Sequence, residues 1–301
     1  MKTRALAVGL APARRNAAFI LPRMVKLYAQ FSARLSTPEY FVSEGMFLMQ
    51  DFLAFGLVGF LAQLIDGALG MGFGVISSSI LLAQGVPPAL ASASVNAAKL
   101  PTTGTAALSH FYHKNLDRRI IIVLCVFGAL GGIVGATVLT SLKGPTLMVL
   151  INLYLVLIGL LIVYRGVMDI SPRLFPSRFK KLIGFSGGLI EGIGGSWGPI
   201  VTTSLLGSGT ESRYAIGSSN FAEFVVSIAV FTTFVLAFAI GYWEGGSDWR
   251  QVAYPVAGLV AGGLPAAVIG GYLSKITPKR ALTVAVGLLA ITIGVSRALT
   301  A

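Results

Sequence analysis

Cysteine, histidine and acid are all scarce in this chain. A single cysteine, Cys125, among 301 residues excludes an intrachain disulfide. Two histidines, His110 and His113, with no cysteine nearby, are too few ligands for a metal centre, so neither a metal nor a cofactor is expected. Charged residues make up 11% of the sequence, against about a quarter in a soluble domain. Long hydrophilic blocks are also missing, which leaves no room for a separate soluble enzyme domain. No convincing set of nucleophile, base and orienting third group is present, so an enzyme is not expected.

What is present is apolar. The chain is 55% hydrophobic with a mean hydropathy of +0.82, the composition of an integral membrane protein with several spans of ~20 residues each. Its formal charge of +12 would suggest nucleic acid in a soluble protein. Here the Lys and Arg residues collect between apolar runs, as in cytoplasmic loops, and no nucleic-acid partner is expected.

Residues 1–45 hold seven basic and two acidic residues. Ile20, Met24, Leu27, Tyr28, Phe31 and Leu35 recur there at helical spacing, with Arg23, Lys26 and Arg34 between them. This predicts a basic amphipathic helix on the cytoplasmic, anionic face of the membrane, with lipid as its partner. A cleaved signal fits less well, because the run Ala17 to Leu21 is short and is cut by Pro22 and Arg23.

Apolar segments follow at about 46–83, 89–111, 120–141, 146–164, 182–206, 214–240, 252–273 and 281–299. Two of them are broken by glycine clusters, and these two resemble each other. At an offset of 125, "VGFLAQLIDGALGMGFGVISSS" (58–79) falls on "IGFSGGLIEGIGGSWGPIVTTS" (183–204), pairing Asp66 with Glu191 and Gly70 with Gly195. After a one-residue slip, "ASASVNAAK" (91–99) falls on "AIGSSNFAE" (215–223), pairing Asn96 with Asn220 and Lys99 with Glu223. The chain reads as a duplication: a first repeat at 46–164, a basic linker at 165–181 and a second repeat at 182–299.

Loop charge orients the copies. His113 to Arg119, Arg165 to Lys181 and Lys275 to Arg280 are basic and are assigned to the cytoplasm, whereas the acidic stretch "GYWEGGSD" (241–248) is assigned outside. Equivalent loops then lie on opposite sides, as in inverted-topology repeats. The expected fold is an all-α polytopic membrane protein in which broken or re-entrant helices meet at the bilayer midplane. If 46–83 is a hairpin the basic N-terminus begins outside; a full crossing followed by a half-helix is the alternative.

A backbone interrupted in hydrocarbon survives only where protein or a wet cavity surrounds it, and the free N-terminus of a half-helix suits an anion. Gly70, Gly72, Gly74, Gly192, Gly194, Gly195 and Gly198 therefore mark a candidate substrate site, although small residues also serve plain helix packing. Ser92, Ser94, Asn96, Ser218, Ser219 and Asn220 add neutral hydrogen-bonding groups, with interhelical bonding as the ordinary alternative. Trp197 and Pro199 either wall the cavity or end the half-helix. Asp66, Lys99, Glu191 and Glu223 are the charged residues well inside apolar segments, where each costs about 2.5 to 3.5 kcal/mol on the insertion scale. Lys99 attracts an anion, or pairs with Glu223 or an acid of its own repeat. Asp66, Glu191 and Glu223 are candidates for proton coupling or ion pairing, and Asp66 and Glu191 are alternatively caps of the broken helices.

"DGALGMGFGV" with "GVPPALASASVN", and "EGIGGSWGPIVTTSLL" with "IGSSNFAEF", resemble the two signature regions of the TauE/SafE sulfite exporter family, also called the sulfonate uptake permeases. The resemblance covers residues 50–299. It implies a multi-pass carrier of the bacterial inner membrane for sulfite, sulfoacetate or a related organosulfur anion or oxyanion, driven by an ion gradient. The family pattern often places His and Glu where this chain has Asn96 and Lys99, which implies a stronger pull on anions and altered proton coupling. An anion channel, or an accessory subunit without turnover, is the alternative function. A homodimer is one of the assemblies left open.

Overall fold

The structure, a computed structural model, describes residues 44–142, 145–168, 179–242, 250–273 and 279–300. The expected amphipathic helix within 1–45, the centre of the basic linker and most of the acidic loop at 241–248 lie outside the described residues. Leu48–Ala301 forms one compact unit.

The described residues form ten helices and no strands. In chain order they are α1 (Glu44–Leu69), α2 (Phe73–Ala83), α3 (Pro88–Tyr112), α4 (Arg118–Ser141), α5 (Pro145–Val167), α6 (Lys180–Gly194), α7 (Val201–Gly207), α8 (Ser212–Ala239), α9 (Arg250–Leu273) and α10 (Lys279–Thr300). Both glycine-cluster segments are broken as expected, between α1 and α2 and between α6 and α7. The helices at 118–141, 149–167 and 212–239 are each long and apolar enough to cross a bilayer.

The surface is apolar, and the interior combines an apolar core with many buried polar groups. Leu53, Leu57 and Leu61 on α1, Ile122, Val126 and Leu130 on α4, and Leu153, Leu157 and Leu160 on α5 repeat at one-turn spacing and point outward, which suits a lipid solvent rather than water. Inside, Ser77, Ser78, Ser79, Ser92, Asn96 and Thr102 are all but sealed.

Glycine sets how closely the helices approach. A Cβ on Gly188 of α6 would strike the Gly128 carbonyl of α4, and one on Gly262 of α9 would strike the Gly56 carbonyl of α1. On α5 and α10, Gly159 and Gly287 face each other, each Cβ position lying 2.7 Å from the other's carbonyl oxygen. These glycines within the helices thus do the plain packing job that small residues do in membrane bundles.

The pairing of helices repeats across the two halves. α4 packs on α6 and α8, and α9 packs on α3 and, through Gly56, Gly59, Gly258 and Gly262, on α1. α3 and α8 run antiparallel: Lys99 meets Glu223, Gly104 faces Phe224 and His110 meets Asn220. Pro101 in the middle of α3 removes a backbone donor, and hydroxyls of Thr102, Thr103 and Thr105 donate to the carbonyls of Ala98, Lys99 and Pro101 nearby.

Candidate functional site

Each break is built the same way. α1 ends when Gly70, with φ +68°, turns left-handed and its N–H closes on the Asp66 carbonyl at 2.6 Å; α6 ends at Gly195, with φ +70°, closing on the Glu191 carbonyl at 2.8 Å. The acid one turn earlier then reaches across the gap. Asp66 Oδ1 accepts from the Phe73 N–H at 3.2 Å, and Glu191 Oε2 accepts from the Trp197 N–H at 2.8 Å. Both carboxylates therefore cap the chain that follows the break, which is the structural role weighed for them above.

These caps correct the register expected from sequence. Phe73, not Gly72, is the counterpart of Trp197, so the one-residue slip lies in the break itself: the first half has Met71 and Gly72 where the second has Ser196 alone. Packing agrees, since Gly263 faces Phe73 and Thr102 while Gly128 faces Trp197 and Val226. The aromatic pair is unequal. Trp197 Nε1–H donates to Ser219 Oγ at 3.0 Å, and Ser219 also shares a hydrogen bond with Thr202; Phe73 has no such donor, and Val95 stands where the second half has Ser219. Trp197 thus walls the crossing rather than ending α6, which Gly195 does.

The two breaks cross backbone on backbone. A Cβ on Gly74 would fall on the Gly195 carbonyl oxygen, and a Cβ on Gly198 would lie 2.7 Å from the Gly70 carbonyl oxygen. With the corrected register these contacts are reciprocal, Gly70 matching Gly195 and Gly74 matching Gly198. The space expected between 70–74 and 194–198 is filled by main chain in this conformation. Gly194 packs instead on the ring of Tyr154, whose hydroxyl donates to Ser196 Oγ.

Lys99 sits at the crossing, 1% exposed. Its ammonium donates to Glu191 Oε1 at 2.7 Å, to Glu223 Oε1 at 2.8 Å and to the Gly195 carbonyl at 2.7 Å. All three donors are used, so in this conformation the lysine has nothing left for an anion. The pairing with Glu223 was among those expected. The pairing with Glu191 was not, because Glu191 belongs to the other half and nothing in its own motif names a lysine partner.

The neutral groups divide into two flanks. Ser92 Oγ donates to the Gly192 carbonyl at 2.9 Å, and Asn96 Nδ2 donates to the Ser92 carbonyl at 2.9 Å. On the other flank Ser218 Oγ accepts from the Asp117 N–H at 2.9 Å, and Asn220 Nδ2 lies 3.3 Å from His110 Nε2, with Asn115 Nδ2 against the other ring nitrogen. Ser218 and Asn220 are thus held by the end of α3 and the loop after it, not by the breaks. His110 bonds to asparagines, and His113 stacks edge-on with Tyr112; among the described residues no three metal-ligating side chains converge.

Several buried polar atoms have no protein partner: Gln63 Oε1, Ser77 Oγ, Ser79 Oγ, Ser94 Oγ, Asn96 Oδ1 and Asn220 Oδ1. Gln63, Ser77 and Ser79 were not foreseen, though a glutamine and a serine run inside an apolar segment were signals. Tyr154 was missed too, hidden in an otherwise aliphatic helix. Two cavities, of about 390 Å³ beside α5 and about 480 Å³ beside α3, are lined by apolar side chains apart from Tyr154 and Thr105 and carry no charged group.

Comparison with known proteins agrees with this architecture. The family model described as "Sulfite exporter TauE/SafE" matches residues 55–297. The chain is 34% identical over 249 residues to the probable membrane transporter protein YtnM of Bacillus subtilis (strain 168), covering 79% of this chain and 80% of that protein. It is 28% identical over 211 residues to the probable membrane transporter protein ORF9 of Sinorhizobium sp, covering 66% of this chain and 79% of that protein. No solved structure matches the chain. With its apolar helices, it is a multi-pass protein of the bacterial inner membrane. The match over most of its length and the helical bundle around two crossed breaks lead to one assignment: the chain belongs to the TauE/SafE sulfite exporter family, a family of membrane transporters rather than of enzymes.

Proposed function

We propose that this protein is a secondary carrier for a small oxyanion or organosulfur anion such as sulfite or sulfoacetate, driven by an ion gradient. The observation that carries the reading is the reciprocal crossing of the two breaks, with buried polar atoms lacking protein partners on either flank of it. Buried polar groups without partners are costly, and a ligand that arrives with matching groups removes that cost. Ser94 supplies a hydroxyl donor, while Asn96 Oδ1 and Asn220 Oδ1 are acceptors. A partly protonated oxyanion, or a sulfonate that also carries a donor, fits this mixture better than a fully ionised one.

The crossing then works as the barrier between two access paths. In one conformation it is closed, as here; rocking of one repeat (46–164) against the other (182–299) opens the flank of Ser94 and Asn96 or that of Ser218 and Asn220 in turn. The antiparallel run of α3 against α8 and the repeated helix pairing support an inverted arrangement of the repeats. Gly70, Gly72, Gly74, Gly194, Gly195, Trp197 and Gly198 form the moving seam of the site, and Lys99 stays engaged with Glu191 until that seam opens.

Flux of radiolabelled sulfite into proteoliposomes tests the assignment. Ser94→Ala is expected to cut saturable uptake at least tenfold while the purified protein keeps its melting temperature within a few degrees, because the Ser94 hydroxyl has no protein partner; Asn96→Ala, which also removes the Nδ2 bond to the Ser92 carbonyl, is expected to lower both uptake and the melt. Undiminished uptake would sink the site. Flux that rises linearly with concentration, without dependence on a gradient, would favour the channel alternative instead.

A further inference from the structure

Charge balance at the crossing points to one more role. Lys99 is ion-paired with Glu191 and Glu223, and the third carboxylate, Asp66, bonds to the N–H of Phe73, next to Gly74, whose Cβ position lies 2.8 Å from Lys99 Nζ. One ammonium against three carboxylates sums to −2 if all are ionised (+1 − 3), inside a bundle where none of the four is more than 5% exposed. Uncompensated charge at that depth is strongly disfavoured.

The three acids are not equivalent. Glu191 is 0% exposed and both its oxygens are engaged: Oε1 by Lys99 and, at 3.5 Å, the Ser227 hydroxyl, Oε2 by the Trp197 N–H. Asp66 and Glu223 keep 5% and 4% exposure. Asp66 uses Oδ1 for the Phe73 cap and Glu223 uses Oε1 for Lys99. The repeat relation explains the difference. It maps Lys99 onto Glu223 and Glu191 onto Asp66, so the two ion-paired positions of one side correspond to two acids on the other. Lys99 can neutralise only one charge, so with Glu191 ionised Asp66 and Glu223 cannot both stay ionised cheaply at that depth, and a proton on one of them removes part of the excess.

A second observation points the same way. Asn220 Oδ1, buried and without a partner, lies one turn before Glu223 on the same face of α8, and the amide of Asn220 contacts His110 at the end of α3. That places a polar acceptor, then an imidazole, between Glu223 and the loop at 113–117. The other ionisable groups packed near the pair are accounted for: Lys99 on α3 and Glu191 on α6 neutralise each other, and Tyr154 on α5 is committed to Ser196.

We propose that Asp66 and Glu223 together bind the coupling proton, and that Glu191 is the permanent counter-ion of Lys99. This rests on the carrier reading above. Uptake of one proton converts a carboxylate of the pair to a carboxylic acid and brings the net charge of the cluster from −2 to −1; release restores it.

The test uses the full-length protein in proteoliposomes, with two readouts of labelled sulfite: net uptake driven by a pH gradient, and sulfite counterflow at equal pH on both sides. Glu223→Gln and Asp66→Asn each keep an acceptor for Lys99 or for the Phe73 N–H. Both are expected to lose pH-driven uptake while counterflow survives, whereas Glu191→Gln is expected to lose both. Retention of pH-driven uptake by either of the first two variants, loss of their counterflow as well, or a wild-type protein driven by a sodium gradient alone, would overturn the shared proton site. A Glu191→Gln protein that behaves like Glu223→Gln would overturn its role as fixed counter-ion. Absence of saturable counterflow in the wild type would instead refute the carrier reading, a separate failure.

Discussion

Gly74 has no room for a side chain, and this gives the sharpest test at the scale of single residues. Its Cβ would overlap the Gly195 carbonyl and come within 2.8 Å of Lys99 Nζ. Neither the backbone nor a thrice-bonded ammonium can step aside cheaply. Gly74→Ala is expected to destabilise the folded protein by about 1–3 kcal/mol, the usual cost of overpacking, and to show it as a lower melting temperature in detergent; an unchanged melt would mean that the breaks do not touch. Gly72 is required for a different reason, its φ of +139°, which the sequence alone does not distinguish from close approach. Sequence singled out Asp66, Lys99, Glu191 and Glu223 because charge in an apolar run is conspicuous. It could not assign partners, because the pairing of Lys99 with Glu191 joins residues 92 positions apart through packing of two separate helices.

At the scale of elements, the first break carries one more residue than the second, and the caps from Asp66 and Glu191 fix where it sits. Direct alignment spread that difference over the segment between the break and α3, since a single extra glycine has no sequence signature. The loop between α3 and α4 is likewise informative. Asp117 caps α4 with its carboxylate, which accepts from the Arg119 N–H at 2.8 Å, and its own N–H is tied to Ser218. Ser94, the counterpart of Ser218, has no partner among the described residues, so the contact that this loop makes on one flank is not repeated by any described residue on the other. Ser218→Ala is expected to speed amide hydrogen exchange in residues 113–119 by removing the acceptor for Asp117; exchange unaffected by the substitution would show that the contact holds nothing. Helix limits were legible almost throughout, as apolar run length follows bilayer thickness.

For the whole molecule, the arrangement is an inverted one if the loops at 113–119 and 241–248 lie on opposite sides of the membrane. Arg118 and Tyr242 are both exposed. With Cys125→Ser as background, Arg118→Cys and Tyr242→Cys are expected to react with an impermeant maleimide from opposite faces of oriented vesicles, the first from the cytoplasmic side. Labelling of both from one face would rule out inversion and, with it, the rocking of equivalent halves. The bundle itself depends on glycine seams such as Gly128 against Gly188 and Gly56 against Gly262, which hold helices by close backbone contact in a solvent where apolar burial supplies little drive.

The sequence by itself determined the solvent, the helices, the two interruptions and the residues expensive enough to matter, because each follows from composition or from local spacing. Only the tertiary structure decided that the interruptions press together without a gap, that Lys99 is fully occupied, that Glu191 has both oxygens engaged, and that Ser218 and Asn220 meet the end of α3 and the loop after it. Those outcomes depend on which atoms meet across helices far apart in the chain, and hydropathy and periodicity constrain each helix alone.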